Sequence, residues 1–279
     1  MAAWWAAGRT LARRLGRDET SAYAAALTYN LLFALFPLLL AMAALVPALH
    51  LSSAQRSLVH GLSVIVTPEV VGLLTRVGAR SGTPNPALAV AGGAGYVWGM
   101  SAAFRRLIDA FNHAYEYQAP LRRPAWRTAL LSGVLALTLG VGLVVALLLA
   151  TLGQHLAQAW LPVSTRPLEV AAVAALRWVA LLALALLMLA VLYWVGPDRP
   201  RPFRWVSPGA VAAMGVWLLI SFGFSLYLAH FNAYNLVYGS VGAVILLLLY
   251  LYFLSYALLL GAEINALREA GRAAGAPGA

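Results

Sequence analysis

The sequence predicts an all-α, polytopic integral membrane protein with six transmembrane helices. Three observations lead to this prediction: 62% of the 279 residues are hydrophobic, only 10% are charged, and the mean hydropathy is +0.81. Soluble domains average roughly 45–50% apolar and 25% charged residues. The composition therefore disfavours a water-soluble enzyme. A β-barrel is also disfavoured, because the apolar runs do not alternate with polar residues.

Six apolar runs are long enough to cross a bilayer, which requires about 20 mainly apolar residues. They lie at about residues 22–49, 86–104, 129–152, 170–195, 208–230 and 239–262. The second run is Gly-rich and short, and it is supported mainly by the charges of the loops beside it. We expect a single membrane domain over residues 1–268 and a flexible C-terminal tail over residues 269–279.

The distribution of arginine predicts the orientation of these helices. Fourteen of the 19 basic residues, all of them Arg, lie on the side of the N-terminus, and five lie on the other side. Since cytoplasmic loops carry the excess of basic residues, both termini are expected in the cytoplasm. The formal net charge of +10 is then a topology signal and requires no nucleic-acid partner.

The segment before the first span is predicted to be an amphipathic helix. Arg9, Arg13 and Arg17 share one face, and Trp4, Leu11 and Leu15 lie on the opposite face, as in a helix on an anionic leaflet. We expect an inert interfacial anchor, with lipid sensing as the alternative. The apolar run that follows exceeds the 7–15 residues of a signal-peptide core, so a retained anchor is expected.

The first span contains a candidate cavity wall. Tyr29 and Asn30 precede Pro37, which removes a backbone hydrogen bond and should bend the helix. A bend beside an Asn favours a cavity. The alternative is that Asn30 forms a hydrogen bond with a neighbouring helix.

The external loop at residues 52–84 is too apolar for a solvated linker. We expect two short amphipathic helices that meet at Pro68 and pack on the outer mouth of the bundle. Packing is the simpler role for this loop, and gating of a cavity is the alternative.

The second span carries small residues at strict four-residue spacing, namely Ala91, Gly95, Gly99 and Ala103. Such a stripe allows close contact between two helices. We therefore expect it to pack against another span.

Polar residues at the inner ends of two spans complete the candidate site. Arg105 and Arg106 precede Asp109 by four and three residues, the spacing of helical ion pairs, and Asn112 follows. The last span ends at Glu263 and Asn265. Glu263 is expected to form an ion pair with Arg204, Arg105 or Arg106, with a coupling-ion or proton site as the alternative.

The residue types that catalysis requires are missing or scattered. The sequence contains no Cys and no Lys, which excludes thiol nucleophiles, Schiff-base lysines and Walker A loops. The five histidines are scattered, so no metal-ligating motif is formed. We therefore predict no enzymatic activity, no catalytic residues, no metal and no cofactor.

Four runs together resemble the YihY/BrkB family of bacterial inner-membrane proteins. They are AAALTYNLLFALFP at 24–37, LIDAFN at 107–112, YNLVYGSVGA at 234–243 and LGAEINA at 260–266. The resemblance implies six spans with both termini inside and location in the bacterial inner membrane. It also implies a link to virulence through serum resistance and, in one branch, to lipid A traffic. The family long carried the label ribonuclease BN.

Two functions remain as hypotheses. The first is a transporter or flippase-like protein, not driven by ATP, for an amphipathic, anionic envelope lipid such as a lipid A precursor. The second is a non-transporting scaffold in envelope assembly or serum resistance. A ribonuclease is disfavoured, because the dense His/Asp metal motif is absent and the basic loops are too short to hold tRNA. Membrane lipids are the expected partners, without nucleic acid.

The transporter hypothesis assigns roles to eleven residues. The expected cavity or substrate residues are Tyr29, Asn30, Pro37, Asp109, Asn112, Tyr238, Glu263 and Asn265. The expected headgroup contacts are Arg105, Arg106 and Arg204.

Overall fold

The chain folds into a bundle of long helices. The computed structural model describes residues 2–45, 86–116, 123–160, 167–198, 202–230 and 234–275. Those residues form seven α-helices and no β-strand: α1 (Ala2–Arg17), α2 (Thr20–Leu45), α3 (Pro86–Ala114), α4 (Ala125–Trp160), α5 (Pro167–Val195), α6 (Pro208–His230) and α7 (Tyr234–Gly275). The six helices from α2 to α7 are long and apolar enough to cross a membrane. The predicted fold class and the N-terminal helix are confirmed. The two helices expected in the external loop at residues 52–84 lie outside the described residues.

The first helix is amphipathic and ends in a tight turn. Leu11 and Leu15 are half-buried, whereas Arg9 and Arg13 are exposed. The backbone N–H of Asp18 donates to the carbonyl of Arg14 at 2.8 Å. Glu19 then takes a positive φ of 48°, and α2 begins at the next residue. The turn therefore places Asp18 at the junction between α1 and α2.

Two helices continue beyond their predicted ends. The second span was expected to end at residue 104, but α3 runs to Ala114 because Leu107, Ile108 and Phe111 continue its buried face. The last helix, α7, runs to Gly275. Part of the expected C-terminal tail is therefore helical, and residues 276–279 lie outside the described residues.

Small residues bring α2 and α3 together. A methyl group at Gly92 would lie 2.7 Å from the backbone nitrogen of Ala41, and one at Gly95 would lie 3.0 Å from Cβ of Pro37. Gly99 faces Ala34 in the same way. The predicted packing stripe is confirmed at Gly95, Gly99 and Ala103, which is buried. Ala91 is exposed instead, and Gly92 occupies the corresponding contact.

A second close contact joins α6 to α7. A methyl group at Gly261 would lie 2.5 Å from the carbonyl oxygen of Gly209 and would also collide with the hydroxyl of Tyr193. That hydroxyl donates to the carbonyl of Leu258 at 2.7 Å. Helices α5, α6 and α7 therefore contact one another at the level of Gly261.

The main cluster of buried apolar side chains lies towards one end of the bundle. It contains Ala24, Leu27, Ala103, Phe104, Leu107, Ala110, Phe111, Leu135, Ala136, Leu192, Tyr193, Ala210, Ala213, Leu259 and Ala262. Most of these residues belong to the first part of α2 and α6 or to the last part of α3, α5 and α7. We call this end of the bundle, which also carries Arg14, Arg17 and Arg123, the basic end.

Candidate functional site

Two buried carboxyl groups meet at the basic end. Glu263 on α7 is 2% exposed and Asp18 at the α1–α2 junction is 4% exposed. Their carboxyl groups lie within hydrogen-bonding reach of each other. The Oε2 atom of Glu263 finds no hydrogen-bond partner among the described residues. This pair is the most unusual chemical feature of the bundle, because buried carboxyl groups are normally paired with cations or donors.

The helical repeat of α7 explains why Glu263 is buried. Leu259, Ala262 and Ala266 lie three to four residues apart and are all buried, so they define the face of α7 that packs into the bundle. Glu263 lies on that same face. The carboxyl group is therefore held inside the bundle by its apolar neighbours along the helix.

Two arginines of α1 surround the carboxyl pair. Arg17 donates from Nε to Oδ1 of Asp18 at 2.8 Å and from Nη2 to Oε1 of Glu116 at 2.6 Å. Arg14 lies 3.8 Å from the same oxygen of Glu116. The hydrogen bonds to Asp18 and Glu116 raise the pKa of Arg17. We call Arg14, Arg17, Asp18, Glu116 and Glu263 the carboxyl–arginine cluster.

The exposure of this cluster changes sharply across it. The side chains of Arg17 and Glu116 are 57% and 54% exposed, whereas Asp18 and Glu263 are buried. The cluster therefore connects solvent at the basic end with a carboxyl group inside the bundle. Such an arrangement can exchange a proton, or hold an anionic group at the arginines.

Glu263 has different neighbours from those expected. The charged groups that act on it are Asp18, Arg14 and Arg17, whereas Arg105, Arg106 and Arg204 had been expected to pair with it. The reason is that α1 packs against α7, which brings the end of α1 to the buried carboxyl group.

Asn112 belongs to a separate joint between α3 and the end of α5. Nδ2 of Asn112 donates to Oδ2 of Asp198 at 2.9 Å. The backbone N–H of Asp198 donates in return to Oδ1 of Asn112 at 3.0 Å. Arg123 donates to the carbonyls of Val195 and Pro197 at 2.9 and 2.8 Å. This arginine therefore caps the C-terminal end of α5, where carbonyls lack helical partners.

Asn265 forms a third joint, at the start of α6. The backbone N–H of Gly209 donates to its Oδ1 at 2.9 Å, and its Nδ2 donates to Oγ of Ser207 at 3.1 Å. Oγ of Ser207 also accepts the N–H of Ala210 at 3.1 Å, as expected of an N-cap. Glu263 and Asn265 therefore contact the beginnings of two different spans from one short stretch of α7.

The remaining candidates in α2 lie apart from the cluster. Tyr29 is 62% exposed, and its ring packs on Phe33 with centroids 4.6 Å apart. Nδ2 of Asn30 donates to the carbonyl of Ala26 in its own helix at 2.8 Å. Pro37 packs against Gly95 of α3.

The other candidates fall at scattered positions. On α3, Asp109 and Arg105 are half-buried and Arg106 is exposed; Arg204 is exposed before α6. The ion pairs expected for Asp109 stay a prediction. Tyr238 lies in α7, but its side chain is outside the part that the structure describes.

Six residues of the cluster and of the α3–α5 joint were not predicted as site residues from the sequence: Arg14, Arg17, Asp18, Glu116, Arg123 and Asp198. A signal for them does exist. Seven of the nine acidic residues lie in or beside the Arg-rich segments, at positions 18, 19, 109, 116, 198, 263 and 269. In a chain with so few carboxylates, this distribution indicates ion pairs at the basic end.

Comparison with known proteins identifies related chains. A family model described as virulence factor BrkB matches residues 11–279. The chain is 29% identical over 262 residues to a Bacillus subtilis (strain 168) protein named as ribonuclease-like, YfkH, covering 93% of this chain and 94% of that protein. No solved structure matches significantly.

Shorter matches link the chain to UPF0761 membrane proteins. One from Pseudoalteromonas translucida (strain TAC 125) is 36% identical over 76 residues, which is 27% of this chain and 25% of that protein. One from Stenotrophomonas maltophilia (strain K279a) is 35% identical over 124 residues, which is 41% of this chain and 29% of that protein.

Proposed function

The chain belongs to the family described as virulence factor BrkB, and on that premise we propose that it is a flippase-like transporter, not driven by ATP. Its substrate is an amphipathic, anionic lipid of the bacterial envelope, such as a lipid A precursor. The basic end faces the cytoplasm and the bundle spans the inner membrane. The excess of Arg on this side supports that orientation.

The observation that carries the proposal is the burial of Glu263 beside Asp18. Glu263 lies in a helix that is apolar enough to cross a membrane. Ionisable residues within membrane-spanning helices are rare, and they mark ion or substrate pathways. A chain that needed only a stable bundle could replace Glu263 with an apolar residue.

Arg14 and Arg17 supply the attraction for an anionic headgroup. The ion pair between Arg17 and Glu116 is exposed on both sides. Exposed ion pairs contribute only about 0–1 kcal/mol, so a phosphate can displace Glu116 from the arginines. Arg106 and Arg204, which are also exposed, extend the basic surface that anionic lipids meet.

The test is transfer of a labelled anionic phospholipid between leaflets of vesicles that contain the purified chain. We expect transfer with the wild type and a severalfold slower rate with Glu263→Gln or Arg17→Gln. The matched controls are Glu269→Gln and Arg13→Gln, which change exposed residues on the same two helices. Both should retain the wild-type rate.

Absence of transfer by the wild type, for labelled phospholipid and for a lipid A precursor alike, contradicts the transporter function. That outcome favours a non-transporting scaffold in envelope assembly. In a scaffold, the apolar loop at residues 52–84 would supply the docking surface for envelope-assembly partners, and this loop lies outside the described residues.

We further propose that the chain is not a ribonuclease, although the name of one relative includes that activity. The sequence supports this, because its five histidines are scattered and it has no cysteine. Cleavage of a tRNA precursor by the purified chain in the presence of zinc would contradict the proposal.

A further inference from the structure

We propose that Asp18 and Glu263 form a proton-binding site in which the two carboxyl groups share one proton. This inference rests on the proposed transport function and names the coupling ion as a proton. It is carried by the contact between two buried carboxyl groups, the unpartnered oxygen of Glu263 and the charges around them.

The contact itself requires a proton. Two carboxylates have only acceptor oxygens, and two negative charges at this separation repel each other strongly in a buried site. A carboxyl pair within hydrogen-bonding reach is stable when one member carries an O–H group that donates to the other. The geometry of Asp18 and Glu263 fulfils this condition.

Hydrogen bonds assign the proton to Glu263. Asp18 accepts two hydrogen bonds from Arg17, at 2.8 Å to Oδ1 and 3.4 Å to Oδ2. A carboxylate is stabilised by such charged donors. Glu263 is also buried, and its Oε2 has no donor within the described part of the chain. Glu263 is therefore the member of the pair that carries the proton and donates to Asp18.

The charge balance of the cluster agrees with one bound proton. The carboxyl–arginine cluster contains two guanidinium groups and three carboxyl groups. If Glu263 is protonated, the two cations face two anions, Asp18 and Glu116. If Glu263 is ionised, an excess negative charge remains inside the bundle. Neutrality favours the protonated form because the carboxyl group of Glu263 is buried.

No other charged group of the described elements is shown to act on Glu263. Arg14 and Arg17 reach it from α1 and Asp18 from the α1–α2 junction, while Glu116 at the end of α3 acts through the arginines. At this level α6 presents Ser207 and Gly209, and α2 begins with Thr20. On α7 itself the next charged residue is Arg268, which is exposed.

A metal ion is a poorer occupant than a proton. Within the described residues, no group of three or more His, Cys, Asp or Glu side chains could hold a metal ion. Two guanidinium groups beside the carboxyl pair would also repel a cation. A proton needs only one carboxyl oxygen and fits without displacing the arginines.

Loss of the proton changes the contacts between helices. When Glu263 releases its proton to water at the basic end, two carboxylates face each other and the contact between α7 and the α1–α2 junction weakens. Arg17 connects Asp18 to Glu116, which follows the end of α3. Binding and release of the proton therefore change contacts at the ends of α1, α3 and α7 and at the start of α2.

The test is infrared spectroscopy of the full chain in nanodiscs of neutral lipid, followed across pH. A protonated carboxyl group has a distinct C=O stretching band. We expect the wild type to keep such a band at neutral pH and to lose it as the pH rises. Glu263→Gln should lack the neutral-pH band, and the control Glu269→Gln should retain it.

Asp18→Asn provides a second variant that keeps Glu263. The amide removes a negative neighbour and adds a hydrogen-bond donor, so Glu263 should lose its proton at a lower pH than in the wild type. A neutral-pH band that persists in Glu263→Gln overturns the proposal, as does a wild type without the band. Circular dichroism and the thermal unfolding midpoint establish that each variant is folded.

Lipid transfer separates this proposal from the proposed function. A wild type with the band but without transfer retains the proton site and loses the transporter function. A wild type that transfers lipid but lacks the band retains the transporter function and loses the proton site. A wild type can also show both the band and transfer. In that case, a lipid-transfer rate that does not change with an imposed pH gradient overturns the assignment of the proton as the coupling ion.

Discussion

Asn112 and Asp198 exchange hydrogen bonds in both directions, from the amide of Asn112 to the carboxylate at 2.9 Å and from the backbone N–H of Asp198 to the amide oxygen at 3.0 Å. The pair fixes the end of α5 against α3. Arg123 completes the joint by binding the last carbonyls of α5. This joint is separate from the carboxyl–arginine cluster. Substitutions in it should therefore lower the free energy of unfolding without a specific effect on lipid transfer.

Asn112→Ala should destabilise the fold. It removes both hydrogen bonds and leaves the buried polar atoms of Asp198 with fewer partners, which should reduce the free energy of unfolding by about 1–3 kcal/mol. Thermal unfolding in detergent measures this change. His113→Ala alters an exposed neighbour on the same helix and should unfold near the wild-type temperature. Equal unfolding of both variants would contradict the structural role of Asn112.

Gly261→Ala should separate α6 from α7. The added methyl group would collide with the carbonyl of Gly209 and the hydroxyl of Tyr193, and overpacking of this kind is unfavourable by about 1–3 kcal/mol. Gly215→Ala is the matched control, because no described residue outside its own stretch of helix has an atom within 4 Å of the added methyl group. That control should be neutral or stabilising by up to about 1 kcal/mol, since Ala favours helix over Gly. Unfolding midpoints that rank in the reverse order would exclude a close contact.

Arg17→Gln should weaken both the fold and lipid transfer. The ion pair with Glu116 is exposed on both sides, but Asp18 is buried and loses the charged donor that binds it, which should reduce the free energy of unfolding by about 1–3 kcal/mol. Transfer of anionic lipid should become severalfold slower, because a headgroup contact is also lost. The measurement pairs unfolding with the vesicle assay, and Arg13→Gln serves as control. If unfolding changes while lipid transfer does not, Arg17 is a structural residue only.

Asn30→Leu should leave both stability and lipid transfer close to the wild type. The amide nitrogen of Asn30 is already bonded to Ala26 within α2, so no described contact with another helix is lost. The vesicle assay and thermal unfolding measure the two properties. A severalfold loss of transfer at unchanged stability would restore the cavity role that the sequence predicts for Asn30.

The six membrane-spanning helices and the contact stripe of α3 could be predicted because their signals are local. Hydropathy over about 20 residues and small residues four apart do not depend on which helices become neighbours. One error in the stripe was a shift of one residue, from Ala91 to Gly92. Such a shift depends on the rotation of α3 against α2, which the spacing alone does not determine.

The neighbours of Glu263 could not be predicted in the same way. They depend on the turn at Glu19, which directs α1 towards α7 and places Asp18 inside the bundle. The hydrogen-bond partner of Asn30 could not be predicted for another reason. Asn side chains can bond to the carbonyl four residues before them, and this local partner competes with any partner on a neighbouring helix.

The polar residues of α7 have a consequence for biogenesis. Asn265 holds the first turn of α6, and Glu263 meets the junction that starts α2. During synthesis the earlier helices emerge and enter the membrane first, so the starts of both helices lack these partners until α7 has been made. A chain interrupted before α7 would contain five spans, and the N-terminal ends of α2 and α6 would lack these partners. Membrane proteases that survey incomplete subunits would therefore find those ends accessible.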